Sequence, residues 1–449
     1  MWTWWKDLPL RTTVLVAGLL RVIPMLVWVD KPCVRDECTY IDLADAILNG
    51  DGMVGTHGWL WAPAYPVLLA AHETVSGYPG TVQVTQLFMA MCSVVWLNDL
   101  AREQGGVRAG RIAGWMYALN PTLIFYTTSL WSETLYSGLL LGAMLALRWA
   151  RSGDERRGWL PGLLVGLCVL FRGVATYMLP IFFVALLWER WRERAAWRGV
   201  VACGLVAVLT VAPYSLYASQ KWGAFVVADR TLGQMMYLGN NNFPPITFDT
   251  GNGALSERAY ERATLGGRGP CPPVDNPVVK DDCEAAAGMA WIRANPGPFL
   301  ARMPERVAQL VNPHSFLTRH LRWGRWHGLP QWLDEAFILA VVGFSFVTLV
   351  VGTLGWFARG RGWYGATAGL IVLYHVAAIA VLAGLTRYRV PLEPLWLVFA
   401  GGFLAEPRAS WRRLGNGSAR SVVGIFVTVV LLALMLRYLP AGWPTWRSW

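Results

Sequence analysis

Charged residues are scarce in this sequence. They make up 15% of its 449 residues, whereas hydrophobic residues make up 55%, and the mean hydropathy is +0.38. Soluble domains carry about 25% charged residues, and a helix needs about 20 apolar residues to cross a bilayer. Apolar runs such as "SVVGIFVTVVLLALML" supply that length repeatedly. The lack of charge therefore excludes a soluble globular protein and predicts an all-α polytopic membrane protein.

Acidic residues are the scarcer of the two charge types, with 28 Asp and Glu against 39 Lys and Arg. The basic residues do not gather into one stretch, as they would for nucleic-acid binding, so no nucleic-acid partner is expected. They lie instead in short loops between apolar runs. These loops are near 102–111, 148–157, 190–198, 359–361 and 408–420. By the positive-inside rule, all five are expected to face the cytoplasm.

No convincing signal-peptide cleavage site follows the first apolar run, so we expect a membrane anchor with its N-terminus inside. The apolar lengths and charged flanks predict about eleven transmembrane helices in a single domain, 1–449. They are expected near 11–29, 82–101, 112–128, 130–150, 158–171, 173–188, 200–219, 333–357, 363–383, 390–405 and 421–438. Two long segments, 30–81 and 220–332, then lie outside, and each contains stretches typical of juxtamembrane helices.

No CxxC pair is present among the seven cysteines, which disfavours a zinc site. Three cysteines lie within predicted spans and are expected to pack there. The other four are Cys33, Cys38, Cys271 and Cys283. They fall in the external segments, where disulfides are stable. Two local bridges, Cys33 to Cys38 and Cys271 to Cys283, are the simplest pairing, although spacing alone leaves cross-pairing open.

A pair of adjacent carboxylates follows the first predicted span. The stretch "CVRDECTYIDLADAILNG", residues 33–50, contains Arg35, Asp36 and Glu37. Apolar residues behind the pair, beginning with Tyr40, recur at helical spacing and predict a short helix. The helix dipole favours acidic residues in a first turn, so the pair alone has a purely structural interpretation.

Three further features on the predicted external side point to a site. Glu133 lies at or just inside the outer end of the fourth predicted span, where a carboxylate is costly unless it has a partner or faces water. Arg387, Tyr388 and Arg389 form a very short external turn, and the arginine fork suits phosphate. Arg172 is the lone charge between two apolar runs. Interfacial anchoring would explain each one singly, but together they predict an outward pocket that holds a phosphate.

Carboxylates and arginines at the outer edge of a helical bundle fit a substrate with a lipid tail and a phosphate. In sugar transfer from a lipid phosphate, a carboxylate takes the proton of the acceptor as it attacks the anomeric carbon. Phosphate is a good leaving group that cations stabilise, so no second carboxylic acid is needed, unlike in glycoside hydrolases. A single displacement would invert the anomeric configuration.

Five stretches in order resemble the glycosyltransferase C superfamily, in its bacterial branch related to protein O-mannosyltransferases and lipid A aminoarabinose transferases. They are "RDECTYIDLADAILNG", "LNPTLIFYTTSLWSETLY", "MMYLGNNN", "AWIRANPGPFLARMPERV" and "TRYRVPLEP". The first is similar to the acidic motif of the first external loop in that family, and the second to its Pro-then-Ser-Glu-Thr segment. The last is similar to its Arg-Tyr-Arg-x-Pro segment. The resemblance extends over nearly the whole chain.

The resemblance implies a fold of the glycosyltransferase C type and a polyprenyl-phosphate-sugar donor. It implies a glycan, lipid or protein acceptor and an outward-facing site in a bacterial inner membrane. It makes Asp36 the expected general base, with Glu37 beside it as a second catalytic residue, and it makes the turn with Arg387 and Arg389 an expected donor-phosphate contact. The residues expected to support the site are Glu133, Tyr40 and Arg35. A divalent cation, Mg²⁺ or Mn²⁺, would suit oxygen ligands at Asp36 and Glu37, although no second ligand cluster is evident. Departures include Cys38, which is unusual so close to the acidic pair.

Two other function classes remain open at this point. A transporter or flippase for lipid-linked sugars would share the helical bundle and the arginines, but transporters tend to show repeats and interrupted spans at mid-membrane. Here the charges gather at one face and no repeat is evident. A glycan polymerase or ligase that uses a lipid diphosphate donor would also face outward, and the sequence separates it less clearly.

Overall fold

The computed structural model describes residues 8–27, 33, 36–54, 58–152, 155–242, 270–272, 274–322 and 330–439. Within these ranges the regular structure is helical. The β-type pairing there consists of two isolated bridges. Val54 to Leu60 lies within the first external segment, and Leu60 to Arg230 joins that segment to the second. The prediction of an all-α fold is therefore confirmed. Arg35 lies outside the described residues, so its predicted supporting role stays a prediction.

Eighteen α-helices follow one another in the described part of the chain. They are α1 (Leu8–Val27), α2 (Asp36–Leu48), α3 (Ala64–Ser76), α4 (Val82–Leu119), α5 (Pro121–Thr128), α6 (Glu133–Arg151), α7 (Trp159–Phe171), α8 (Leu179–Leu187), α9 (Arg194–Trp222), α10 (Leu232–Gly239), α11 (Pro277–Ala294), α12 (Pro296–Leu310), α13 (Phe316–Arg322), α14 (Gln331–Arg359, with a π-helical stretch at Val347–Val351), α15 (Gly362–Val381), α16 (Glu393–Ala405), α17 (Pro407–Leu414) and α18 (Ala419–Tyr438). Short 3₁₀ turns, notably Gly173–Tyr177 and Thr386–Leu392, connect some of them.

Six helical segments in the described ranges are long and apolar enough to cross a bilayer. They are α1, α4 with its preceding turn, α9, α14, α15 and α18. The pair α5 and α6, bent by 115° at residues 129–132, makes a seventh. The chain is thus a multi-pass membrane protein, but the count of eleven spans is not confirmed. Several of the eleven fall on helices such as α7, α8 and α16 that are shorter than a full span.

The helix α4 is a hairpin of two halves rather than one rod. Its backbone leaves helical geometry at Gly105 and Gly106, and Gly106 has φ 71° and ψ −164°, a conformation open essentially to glycine. A Cβ added at Gly110 would lie 2.5 Å from the carbonyl oxygen of Asn98. Twelve residues of straight helix would separate these positions by about 18 Å. The halves therefore pack antiparallel, and the second half ends at Leu119, so the predicted span 112–128 is not one helix.

The loops predicted to face the cytoplasm meet at one end of the bundle. The buried guanidinium of Arg359 donates to the carbonyl oxygen of Gln104 at 2.7 Å, to Glu406 Oε2 at 2.7 Å and to Ser410 Oγ at 2.8 Å. These partners come from two other predicted cytoplasmic loops. Residues from the predicted external loops assemble elsewhere, as described below. Loops that are predicted to lie on the same side of the membrane therefore lie together in the structure.

The helix α6 forms the centre of the bundle. It packs between α4 and α7, and nearly all of its residues are buried on every side. A helix that is apolar all round is stable only when it is fully enclosed. This enclosure places the first residue of α6, Glu133, inside the protein at one end of the bundle.

The cysteines pair in the structure as the simplest sequence interpretation expects. Cys33 is bonded to Cys38, and Cys271 is bonded to Cys283. The first bridge encloses the start of α2, and the second fastens the start of α11. The remaining cysteines, Cys92, Cys168 and Cys203, are free and lie within helices.

Candidate active site

Four separate parts of the chain converge at the end of the bundle away from Arg359. Asp36 is the first residue of α2, and Glu133 is the first residue of α6. Arg172 lies between α7 and the turn Gly173–Tyr177, and Arg387 lies in the turn Thr386–Leu392. All four were predicted from the sequence to belong to a site, and the structure brings them into direct contact.

The contacts form a chain of ion pairs around one buried carboxylate. Glu133 Oε1 lies 2.6 Å from Arg172 Nη1 and 3.3 Å from Arg387 Nε. Arg387 Nη1 also pairs with Asp36 Oδ2. The side chain of Glu133 is 1% exposed, those of the arginines 12% to 14%, and that of Asp36 29%. Asp36 is therefore the group of the cluster that water and a substrate reach most easily.

Both arginines keep their positive charge in this environment. Burial lowers the pKa of Arg387, but the carboxylates of Asp36 and Glu133 outweigh that effect and hold the pKa well above its ordinary value. Burial also lowers the pKa of Arg172, but the charge and the hydrogen bond of Glu133, together with Tyr40, outweigh that effect and raise the pKa above its ordinary value. The cluster thus contains two cations and two carboxylates at the edge of an apolar bundle.

Aromatic rings flank the guanidinium groups. The ring of Tyr388 lies 5.9 Å from the guanidinium of Arg172 and 5.8 Å from that of Arg387. The ring of Trp131 lies 5.5 Å from Arg387 on another side. Such contacts stabilise cations and fix the guanidinium planes. The Tyr388 hydroxyl donates to Met235 Sδ at 3.4 Å, which ties this turn to α10.

Glu37 and Tyr40 fasten α2 to the bend that precedes α6. Glu37 is buried, and its Oε1 accepts the backbone N–H of Leu130 at 2.9 Å. The Tyr40 hydroxyl lies 3.2 Å from Ser132 Oγ. The sharp bend leaves backbone donors outside a helix, which side chains must satisfy. These two residues therefore position Asp36 next to Glu133.

The two adjacent carboxylates do not converge on a common point. Asp36 pairs with Arg387, whereas Glu37 accepts from the backbone of Leu130. Among the described residues, no group of three or more His, Cys, Asp or Glu side chains could hold a metal ion. This donor set does not fit Mg²⁺ or Mn²⁺, which prefer several converging oxygens. No step of the proposed chemistry is routed through a metal.

Arg389 lies apart from the cluster, although only one residue separates it from Arg387. Its side chain is 1% exposed and pairs with Glu393 at 3.0 Å. It also donates to three further protein oxygens. They are the carbonyl oxygens of Leu310 at 3.2 Å and Asn312 at 2.7 Å, and Ser345 Oγ at 3.2 Å. In a 3₁₀ turn, residues two apart point to different sides. The geometry therefore does not support the predicted phosphate contact for Arg389, and it makes this arginine part of the core.

Sequence analysis missed Asp229, which holds the turn that carries Arg172. The buried Asp229 carboxylate accepts the backbone N–H of Gly173 and the hydroxyl of Thr231, the latter at 3.2 Å. A Cβ at Gly173 would lie 2.0 Å from Asp229 Oδ1, so only glycine allows this approach. Burial raises the pKa of Asp229 to about 6. Its surroundings, "VVADRTLG", resemble an ordinary loop and give no local signal.

Comparison with known proteins was made by sequence and by structure. No family model and no curated protein sequence matches the chain. The structure of the Archaeoglobus fulgidus oligosaccharyltransferase in the apo form is similar, with a TM-score of 0.52 and 13% identity over 98% of this chain. The structure of AglB from the same organism, in complex with an inhibitory peptide and a dolichol-phosphate, gives a TM-score of 0.51 and 14% identity over 98% of this chain.

This chain spans only a little more than half of those proteins, since the matches cover 56% of their length. ArnT from Cupriavidus metallidurans bound to undecaprenyl phosphate gives a TM-score of 0.38 at 13% identity, over 93% of this chain and 79% of ArnT, which is too low to support a conclusion. At such identities the oligosaccharyltransferase match shows a shared fold. The expectation of a glycosyltransferase C type fold is thereby confirmed.

Replacing Arg389 should destabilise the protein rather than merely impair a site. Arg389→Gln leaves the Glu393 carboxylate buried without its cation, which costs about 3–5 kcal/mol. Thermal unfolding of the detergent-purified protein should show a large drop in midpoint, and Arg389→Gln combined with Glu393→Gln should recover part of it. Arg437→Gln is the control. The Arg437 side chain is 63% exposed in its pair with Glu305, so its replacement should change the midpoint little. An unchanged midpoint for Arg389→Gln would contradict this assignment.

Asp229 should make stability depend on pH in a defined direction. Its pKa in the folded protein is about 6, above the unfolded value of about 3.9, so the folded state binds the proton more tightly. The free energy of unfolding should therefore fall by about 3 kcal/mol in all as the pH rises from 3 to 7, and by about 2 kcal/mol of that between pH 4 and pH 6. Asp229→Asn should be more stable than wild type at pH 7, with the difference vanishing near pH 4.

The exposed carboxylate of Asp282 offers a matched control on the same face. Asp282→Asn should leave the pH profile of unfolding close to that of wild type. If Asp229→Asn gave the same stability difference from wild type at pH 4 and pH 7, the assignment to Asp229 would be wrong.

Proposed function

We propose that this protein is a membrane glycosyltransferase that moves one sugar from a polyprenyl-phosphate-linked donor to a hydroxyl-bearing acceptor. The observation that carries the proposal is the cluster itself. A partly exposed carboxylate, Asp36, lies against two guanidinium groups that share the buried carboxylate of Glu133. A base beside paired cations is the arrangement that transfer from a phosphate leaving group requires.

The arginines supply the phosphate contact. Arg172 and Arg387 present planar, permanently charged donors, which match phosphate oxygens in geometry and charge. They are held in place before any substrate arrives, because Glu133 and the rings of Tyr388 and Trp131 fix them. Preorganised cations stabilise the charge that develops on the leaving phosphate without a reorganisation cost.

Asp36 acts as the general base. The acceptor hydroxyl gives its proton to the Asp36 carboxylate while its oxygen forms a bond to the anomeric carbon of the sugar. The bond from that carbon to the phosphate oxygen breaks, and its electron pair leaves with the polyprenyl phosphate. One displacement inverts the anomeric configuration, and no second carboxylic acid takes part. Glu37 is assigned a positioning role.

The site faces away from the cytoplasm in this proposal, at the surface of a bacterial inner membrane. It lies among loops predicted to be external, at the opposite end from the arginine-rich loops around Arg359. The disulfide Cys33–Cys38 flanks Asp36, and disulfides persist on the oxidising side of a membrane. The lipid tail of the donor would lie along the bundle, with its phosphate at the arginines.

The fold comparison is compatible with this reaction class. The similar oligosaccharyltransferase was solved with a dolichol-phosphate, a lipid phosphate of the kind proposed here. A flippase is the weaker candidate, because the carboxylates and arginines of this cluster lie at an end of the bundle and not at mid-membrane.

Sugar transfer or release should depend on Asp36. Purified protein in lipid nanodiscs should consume one member of a panel of radiolabelled undecaprenyl-phosphate monosaccharides. Asp36→Asn keeps the shape of the side chain but cannot accept the proton, so the rate should fall by about 10² to 10⁴. Asp42→Asn removes the same charge from an exposed position of the same helix and should stay close to wild type.

Donor consumption that is equal in the wild type and Asp36→Asn would contradict the assigned base. If no donor were consumed even with envelope extract as acceptor source, while the lipid crossed liposome membranes in a protein-dependent way, the transporter alternative would replace this proposal.

A further inference from the structure

Arg387 has two tasks at the proposed site. In the structure it pairs with Asp36, which is the proposed base. In the proposed reaction, on which this inference rests, it also binds the donor phosphate. While Asp36 is paired with Arg387, that carboxylate oxygen is occupied and is not turned toward an acceptor hydroxyl. The base and the phosphate therefore compete for the same cation.

The charge balance of the cluster shows why it cannot hold the Asp36 carboxylate and the donor phosphate against Arg387 at the same time. Asp36 and Glu133 carry two negative charges, and Arg172 and Arg387 carry two positive ones. A phosphodiester donor would add a further negative charge to a site that is largely removed from water. Like charges in such a site repel strongly, so one carboxylate must give way.

Asp36 is the carboxylate that can move. Glu133 is buried between both guanidiniums, and its withdrawal would leave a buried charge without a partner. Asp36 is the more exposed of the two carboxylates, and it is the first residue of its helix. Arg387 would keep its place, because Glu133 and the ring of Trp131 hold it independently of Asp36.

We propose that the donor phosphate displaces Asp36 from Arg387 and so switches on the base. The free enzyme holds Asp36 in an ion pair, and the loaded enzyme releases it toward the acceptor. Donor must then bind before an acceptor can react. As the acceptor proton neutralises Asp36, the leaving phosphate gains one negative charge, and Arg387 is already in contact with it. When polyprenyl phosphate departs, the proton passes to water and the ion pair forms again.

Binding of undecaprenyl phosphate alone tests the exchange, because this lipid has no sugar to transfer. If phosphate and Asp36 compete for Arg387, then removing the base should strengthen binding. Asp36→Asn should lower the Kd for undecaprenyl phosphate by about tenfold, measured in detergent with a fluorescent analogue. Asp36→Ala, which removes the same charge with less bulk, should shift the Kd in the same direction.

Two controls separate the exchange from a general charge effect. Asp42→Asn removes one negative charge from the exposed face of the same helix and should leave the Kd unchanged. In an Arg387→Gln background, where Arg172 alone remains for phosphate, the gain from Asp36→Asn should vanish. The two changes should therefore be strongly non-additive.

The results distinguish this inference from the function on which it rests. Tighter binding by both Asp36 variants, lost in the Arg387→Gln background, supports the exchange. Saturable wild-type binding that the Asp36 variants do not strengthen, or a gain that persists without Arg387, overturns the exchange and leaves the glycosyltransferase proposal intact. Absence of saturable binding by the wild type overturns both.

Discussion

The buried carboxylate of Glu133 is the interaction on which this site depends. A charge at the first residue of the central helix cannot remain without partners in an apolar bundle. Its two partners come from turns that are distant in the sequence, and Arg387 in turn reaches Asp36. One charge requirement thus joins four segments of the chain. Glu37 and Asp229 then fix the backbones that carry Asp36 and Arg172.

The need of a buried charge for partners also distinguishes the carboxylates that can react from those that support the fold. Carboxylates that accept backbone N–H groups, as Glu37 does, are committed to holding the fold. The carboxylate that stays partly in water, Asp36, is the one that can exchange partners and take up a proton. Adjacent acidic residues in one motif therefore serve different purposes, which follow from burial and from the partners of each.

Much of this arrangement could be predicted from the sequence, because bilayer thickness and loop charge constrain helices and their sidedness strongly. The grouping of Glu133, Arg172 and Arg387 followed from that sidedness. The position of Arg389 in the core could not be predicted, because the direction of a side chain in a tight turn depends on three-dimensional packing. Asp229 was missed for a similar reason, since its role exists only through the approach of Gly173. Apolar length alone also predicted eleven spans, whereas the described ranges contain six long apolar helical segments, or seven with the bent pair, because breaks and short helices divide the rest.

A cryo-EM structure of the protein with undecaprenyl phosphate would test the central claim most directly, because it locates the phosphate. We expect phosphate oxygens within about 2.7–3.2 Å of the guanidiniums of Arg172 and Arg387, with the Asp36 carboxylate turned away from Arg387. Phosphate bound elsewhere, with the pair of Asp36 and Arg387 intact, would contradict it.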